Sequence, residues 1–204
     1  QYIADYMGLE LNVIPMDFDG TLAELASKNV DLSIAGYSPA PERMDKMDFS
    51  DIYYTGGQSF CVTKANIDQF SSLEDTNDAT VKVAAQNGSI QMGLAQENSP
   101  NADIIALQKV TDIIAELITG KIDGAYIETA VAETYAKNYP DLVVKFDVPY
   151  DAEGSAVGVS KGNAELLKAV NEAIAKALAD GSMGQFIGDA FDAATGNILE
   201  GLIE

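Results

Sequence analysis

Short runs rich in β-branched or aromatic residues alternate along the chain with runs whose apolar residues recur at helical spacing. Gly, Pro, Asn or Asp bound the β-like runs, as they commonly bound strands. This alternation predicts an α/β fold with largely parallel sheets flanked by helices. The predicted strands cover residues 13–16, 30–35, 60–64, 81–85, 125–127, 142–146 and 157–160.

Helical segments are predicted between these strands. The longest has Asn163 as its N-cap and Gly181 just beyond its end. Its inner apolar stripe consists of Leu166, Leu167, Val170, Ile174 and Leu178. The other predicted helices cover residues 21–27, 42–47, 91–96, 111–119 and 130–138. Residues 2–7, followed by Gly8, are typical of the last turns of an amphipathic helix, so we expect further elements upstream.

Composition removes several classes of function. The chain has 204 residues, which permits one large domain or two small lobes. It contains no histidine, and this excludes Ser-His-Asp and Cys-His nucleophiles and imidazole metal ligands. The net charge of −20 disfavours nucleic acid as a partner. Asp17 and Asp19 lack the spacing of a calcium-binding EF-hand loop.

Cys61 is the only cysteine, which excludes an internal disulfide and a cysteine-rich metal site. Its neighbours Phe60 and Val62 favour a buried thiol in a strand. The first residues show no signal peptide, so we expect the chain to be intracellular or to have lost its N-terminus.

Arg43 is the only arginine and follows Pro41, which suits the first position of a short helix. A guanidinium forms two parallel charge-assisted hydrogen bonds with a carboxylate, which lysine does not reproduce. Arg43 is therefore a candidate for binding the carboxylate of a ligand. The alternative is an exposed arginine paired with one of the many acids.

Several segments together resemble the family 3 solute-binding proteins of bacterial amino-acid ABC transporters. The resemblance covers nearly the whole chain in the right order. The family's first strand, most of its first helix and the signal or lipoprotein segment before them are absent from the 204 residues. The segments that carry the resemblance are residues 16–22, 29–36, 41–43 and 47–50, then 81–89 and 117–125, and finally 158–163 and 179–182.

The resemblance implies a type II periplasmic-binding-protein fold, in which two α/β lobes joined by two crossing strands close over one amino acid. The first lobe would comprise residues 1–56 and 155–204, and the second residues 57–154. We expect the crossings near residues 55–58 and 151–156.

The resemblance also implies which residues bind the α-carboxylate of the ligand. Arg43 matches the arginine that grips it, and Ser38 matches a Ser or Thr whose backbone N–H and hydroxyl reach it. Ser89 and Ile90 match the second-lobe loop that donates backbone N–H groups. Ile90 stands where the family frequently has a hydroxyl residue.

Four further residues match positions that bind the rest of the ligand. Gly36 matches a position whose carbonyl accepts from the α-ammonium, and Glu128 matches the ammonium-binding acid, which is usually aspartate. Phe18 matches an aromatic that packs on the ligand. Gln86 matches a variable position near its side chain, and a glutamine there favours a polar amino acid.

The function implied is extracytoplasmic binding of a free amino acid for delivery to an ABC transporter permease. The protein would be periplasmic or lipid-anchored, with membrane association only through a removed N-terminal anchor. No cofactor, metal or catalytic residue is expected. Two alternatives remain: a ligand-sensing module of a membrane receptor, and a cyclohexadienyl dehydratase-like enzyme.

Overall fold

The computed structural model describes residues 1–151 and 154–197. Helices and strands alternate along most of this length. The helices are α1 Tyr2–Met7, α2 Phe18–Ala26, α3 Pro41–Met44, α4 Ile90–Asn98, α5 Val110–Ile118, α6 Thr129–Asn138, α7 Ala164–Ala179 and α8 Ser182–Asn197. The strands are β1 Leu32–Tyr37, β2 Met47–Phe49, β3 Gln58–Thr63, β4 Lys82–Gln86, β5 Asp103–Leu107, β6 Gly124–Glu128, β7 Leu142–Asp147 and β8 Ala156–Ser160.

The described residues fall into two compact units. The first contains residues 1–55 and 154–190, and the second contains residues 56–151 and 191–197. The division into lobes at the positions given above stays a prediction. Ala152 and Glu153, in the second predicted crossing, and residues 198–204, at the end of the predicted first lobe, lie outside the described residues.

The sheet of the first unit has the strand order β1-β8-β2, and both pairs are antiparallel. Val157 and Val159 of β8 pack against Val170 and Ile174 of α7. The predicted N-cap of α7 is confirmed, because the amide of Leu166 donates to Oδ1 of Asn163 at 3.2 Å.

One packing prediction for this unit was wrong, and one glycine explains how closely its elements approach each other. Leu178 was predicted to face inward but is 50% exposed, because the buried stripe ends at Ala177. Gly158 lies where a Cβ would come within 2.8 Å of Leu25 Cδ2. Helix α2 therefore packs closely on β8 only because position 158 has no side chain.

The sheet of the second unit has the strand order β5-β4-β6-β3-β7. Strand β4 is parallel to both β5 and β6, and β3 is antiparallel to β6 and β7. The predicted α/β class is confirmed. The sheet of the first unit is antiparallel and that of the second is mixed, because parallel pairing among the described strands is found only at β4.

Helices cover both faces of this second sheet. Cys61 and Ala125 point to the face covered by α5 and α6, whereas Phe60 and Tyr126 point to the face covered by α4. This is the alternation expected of strands buried on both sides. The predicted burial of Cys61 is confirmed, and burial raises the pKa of its thiol to about 12.

Several element predictions were wrong or incomplete. Residues 13–16 form no strand. The helix predicted over 42–47 ends at Met44, and β2 begins at Met47. Strand β5 and helix α8 were not predicted. No helix among the described residues has the length and apolar character needed to cross a membrane.

Candidate functional site

Arg43 lies in helix α3 of the first unit and is buried, with 8% of its surface exposed. Ala40 is extended, and Pro41 begins the helix because its fixed φ suits the first turn. Nη1 of Arg43 donates to the carbonyl of Ser38 at 3.1 Å. Burial lowers the pKa of the guanidinium from its ordinary value, although an arginine stays charged in proteins. The site therefore holds a desolvated cation.

An aromatic wall adjoins this cation. The ring of Phe18, at the start of α2, has its centroid 5.8 Å from Cζ of Arg43. The Tyr37 ring lies 5.3 Å from the Phe18 ring, and its hydroxyl bonds to Ser33 Oγ at 2.7 Å and to Thr21 Oγ1. The Phe18 ring therefore packs against Tyr37, a buried tyrosine whose hydroxyl is hydrogen-bonded.

Gly36 lies near the end of β1, two residues before Ser38. Its φ of +68° is in the left-handed region, and the pairing of β1 with β8 is irregular between Ser33 and Tyr37. Burial raises the pKa of Tyr53, and the nearby backbone of Gly36 acts on that pKa in the opposite direction. The structure thus brings together four predicted residues of the first unit: Phe18, Gly36, Ser38 and Arg43.

Tyr53 was not among the predicted site residues. Nothing in the sequence distinguishes it from Tyr54 beside it, because its proximity to Gly36 depends on the tertiary structure.

In the second unit, the predicted residues lie at the carboxyl ends of the parallel strands β4 and β6. Ligands of open α/β sheets usually bind at this edge. Ser89 caps helix α4, accepting from the amide of Met92 at 3.3 Å and donating to the carbonyl of Gln86 at 2.7 Å. Ile90 is the first residue of α4, where backbone N–H groups point out of the helix end.

Glu128 ends β6 and is the N-cap of α6. Its Oε2 accepts from the amide of Val131 at 2.9 Å. A carboxylate has two oxygens with several lone pairs and can accept from more than one donor. The residue combines a structural contact with the negative charge that an ammonium group needs.

Three glutamines lie near this edge, of which only Gln86 was predicted. Its Nε2 donates to the carbonyl of Gln108 at 3.0 Å. Gln58 is buried directly opposite Glu128 in the β3–β6 pairing, and its Oε1 accepts from Nε2 of Gln91 at 2.7 Å. The signal for Gln58 was a lone amide at the start of a largely apolar strand.

The described residues offer no group of three or more His, Cys, Asp or Glu side chains that could hold a metal ion. A shallow groove of about 480 Å³ in the first unit is lined by residues that include Asp51, Leu167 and Asn171. None of the predicted site residues lines this groove.

Comparison with known proteins identifies the family. The sequence profile of the bacterial extracellular solute-binding proteins, family 3, matches residues 1–192. The chain belongs to this family.

Two curated relatives illustrate how family 3 members resemble the chain. The arginine-binding extracellular protein ArtP of Bacillus subtilis is 36% identical over 176 residues, which cover 84% of this chain and 67% of ArtP. The L-cystine-binding protein TcyJ of Escherichia coli K12 is 30% identical over 183 residues, which cover 90% of this chain and 68% of TcyJ. The family 3 resemblance seen in the sequence is confirmed.

Solved structures extend the comparison to the fold. The amino acid ABC transporter substrate-binding protein AbpA of Streptococcus pneumoniae, bound to L-arginine, matches with a TM-score of 0.89 and 34% identity over 95% of this chain and 81% of AbpA. The ancestral amino acid-binding protein AncCDT-1, a precursor of cyclohexadienyl dehydratase, matches with a TM-score of 0.85 and 32% identity over 93% of this chain and 82% of that chain. These neighbours confirm the predicted type II periplasmic-binding-protein class.

Proposed function

We propose that the chain binds a free, polar L-amino acid outside the cytoplasm and delivers it to the permease of an ABC transporter. The observation that carries this proposal is the buried guanidinium of Arg43. A guanidinium is a planar fork of five N–H donors. The α-carboxylate of an amino acid matches that fork and accepts a two-pronged, charge-assisted bond from it.

The neighbours of Arg43 suit the remaining groups of such a ligand. The Ser38 carbonyl already accepts from Nη1 of Arg43, and the carbonyl of Gly36, an exposed residue with a left-handed φ, would accept from the ammonium group. The half-buried Phe18 ring offers an apolar surface for the aliphatic part of the ligand. These contacts recognise a zwitterion rather than a sugar or a metal ion.

The family resemblance assigns residues of the second unit to the same ligand. The backbone N–H groups at Ser89 and Ile90 would add donors to the carboxylate. Glu128 would supply the negative charge for the ammonium group. Binding that draws on both units favours the state in which both contact the ligand, and a permease could recognise that state.

The named relatives support an amino acid as the ligand. ArtP is an arginine-binding protein and TcyJ an L-cystine-binding protein, and AbpA was solved with L-arginine. Each of these ligands has a polar side chain or linkage, consistent with Gln86. We propose no catalytic role, since the relatives named for their ligands are binding proteins.

Thermal unfolding in the presence of candidate ligands tests the proposal. The measurement uses the full-length protein, and the panel contains L-amino acids, sugars and dipeptides. A ligand at 1,000 times its Kd should stabilise the protein by about 4 kcal/mol. If sugars or dipeptides stabilise the protein and no amino acid does, the proposal is wrong. Turnover of arogenate or prephenate would instead indicate an enzyme.

A further inference from the structure

We propose that Lys161 is a positioning residue that holds helix α3, and through it Arg43, in the orientation that binds the ligand carboxylate. This inference rests on the proposed function.

Lys161 joins two elements that are separate in the sequence. It follows β8 directly, and its Nζ donates to the carbonyl of Met44 at 2.7 Å and to Oδ1 of Asp48 at 2.7 Å. Met44 is the last residue of α3, and Asp48 lies in β2. One ammonium group therefore ties the end of α3 to the sheet.

Asp48 is the second residue of this connection between β2 and the segment after β8. Its Oδ2 accepts from the backbone amide of Gly162 at 2.8 Å, and Asp48 pairs with Val159 in the β2–β8 ladder. Both carboxylate oxygens are engaged by consecutive residues after β8. Because two bonds fix the carboxylate, the Lys161 ammonium has a defined direction toward Met44.

Helix α3 needs such support. It has four residues, and a single turn is not stable in isolation because nucleating a helix is unfavourable. Its carbonyl end carries a partial negative charge, which a nearby cation stabilises. The carbonyl of Ala40, at the N-terminal end of the turn, accepts from the amides of both Arg43 and Met44, at 2.9 and 3.1 Å.

The position of the guanidinium follows from the position of this turn. Arg43 immediately precedes Met44, so a displacement of the Met44 carbonyl moves the Arg43 backbone with it. A two-pronged bond to a carboxylate depends on the direction of the guanidinium plane. Loss of Lys161 should therefore weaken carboxylate binding even though Lys161 does not touch the ligand.

A purely structural ion pair predicts a different outcome. The side chains of Lys161 and Asp48 are 49% and 25% exposed, and pairs of this kind add little to stability. If the pair were only structural, its removal would weaken the binding of every ligand to the same small extent. The distinguishing measurement is selectivity for the carboxylate.

The experiment compares Lys161→Met with the wild type by calorimetry, using the amino acid that stabilises the wild type and its carboxamide, which lacks the carboxylate. We expect Lys161→Met to lose roughly tenfold in affinity for the amino acid, within the range of coupling between neighbouring residues, and little for the carboxamide. Lys161→Arg should bind the amino acid about as well as the wild type does, because a guanidinium has donors for both the Met44 carbonyl and Oδ1 of Asp48. Lys168→Met is the matched control, since Lys168 lies on the exposed side of α7, 3.8 Å from Glu172.

A double-variant comparison adds a second readout. If Lys161 acts through Arg43, then Lys161→Met should cause much less loss in an Arg43→Lys background than in the wild type. Asp48→Asn removes the charge that directs Lys161 and should cause a smaller loss of affinity for the amino acid, again with little loss for the carboxamide. This variant replaces Lys161→Met in the experiment if Lys161→Met does not fold.

Equal loss for the amino acid and the carboxamide, unchanged affinity, or full additivity with Arg43→Lys would each overturn the inference. Failure of the proposed function gives another result, because the wild type itself would then bind no amino acid.

Discussion

The guanidinium of Arg43 lies over the face of the Phe18 ring, with Cζ 5.8 Å from the centroid. The two residues belong to α3 and α2, which are separated in the sequence by β1. A ring face stabilises a cation without neutralising it. The contact therefore places an aromatic face beside a guanidinium that keeps its positive charge.

Replacing Arg43 tests this arrangement most directly. Arg43→Ala should cost about 3 to 5 kcal/mol of amino-acid affinity, because the ligand carboxylate would be buried without a partner. Arg43→Lys keeps the charge but loses the fork, so about 1 to 3 kcal/mol should be lost. Calorimetric titration measures both. Lys46→Ala, at an exposed position beside α3, is the control, and wild-type affinity in Arg43→Ala would exclude the site.

Glu128→Gln tests the ammonium site that is proposed in the second unit. The amide oxygen of glutamine can still accept from Val131, so the helix cap should survive. Loss of the charge facing the ammonium should lower affinity by roughly 2 to 3 kcal/mol. Glu133→Gln, exposed on the same helix, should bind as the wild type does. Equal affinities in the two variants would place the ammonium site elsewhere.

The Asp48–Lys161 pair predicts a dependence of stability on pH. The hydrogen bond from Lys161, followed by that from Gly162, holds the pKa of Asp48 below its ordinary value. The stabilisation is therefore complete above the unfolded pKa, about 3.9, and is lost as the pH falls through the folded pKa. At neutral pH, the free energy of unfolding of the wild type should exceed that of Asp48→Asn by about 1 kcal/mol.

Thermal unfolding at successive pH values checks this expectation. The difference between wild type and Asp48→Asn should shrink steadily below pH 4 or so, because protonated aspartate resembles asparagine. Asp141→Asn removes an exposed pair with Lys64 at 4.0 Å and serves as the control. A difference that stays constant into acid would contradict the assignment.

Two glycines of the second unit should respond in opposite ways to alanine. In β6, a Cβ at Gly124 would overlap the ring of Phe60, so Gly124→Ala should destabilise the protein by about 1 to 3 kcal/mol. In α4, nothing lies within 4 Å of a Cβ at Gly93, so Gly93→Ala should stabilise it by about 0.5 to 1 kcal/mol. Urea unfolding measures both, and destabilisation of Gly93→Ala would contradict the helix geometry.

The sequence predicted the fold class and most elements because their signals are local. Asn163 and the helical stripe after it needed no tertiary information. The failures have tertiary causes: residues 13–16 have strand composition but pair with no strand, and Val13 is 71% exposed. Strand β5 resembles other short apolar runs and acquires its identity only by pairing with β4.

The candidate site divides in the same way. Arg43 was predictable because it is the only arginine in the chain, and its burial agrees with a specialised position. Tyr53 and Gln58 were not, since their contacts with Gly36 and Gln91 connect parts of the chain that are distant in sequence. The roles of the predicted site residues stay predictions until ligand titrations test them.

The stretch before α2 gives the molecule two opposing tendencies in solution. Leu9, Leu11, Val13 and Ile14 all expose large apolar side chains, whereas the net charge of −20 makes identical molecules repel one another. Salt shortens the range of that repulsion to about 10 Å at 0.1 M and about 3 Å at 1 M, and leaves the apolar attraction in place. The protein should therefore be best dispersed in dilute buffer, and its second virial coefficient should fall as salt is added.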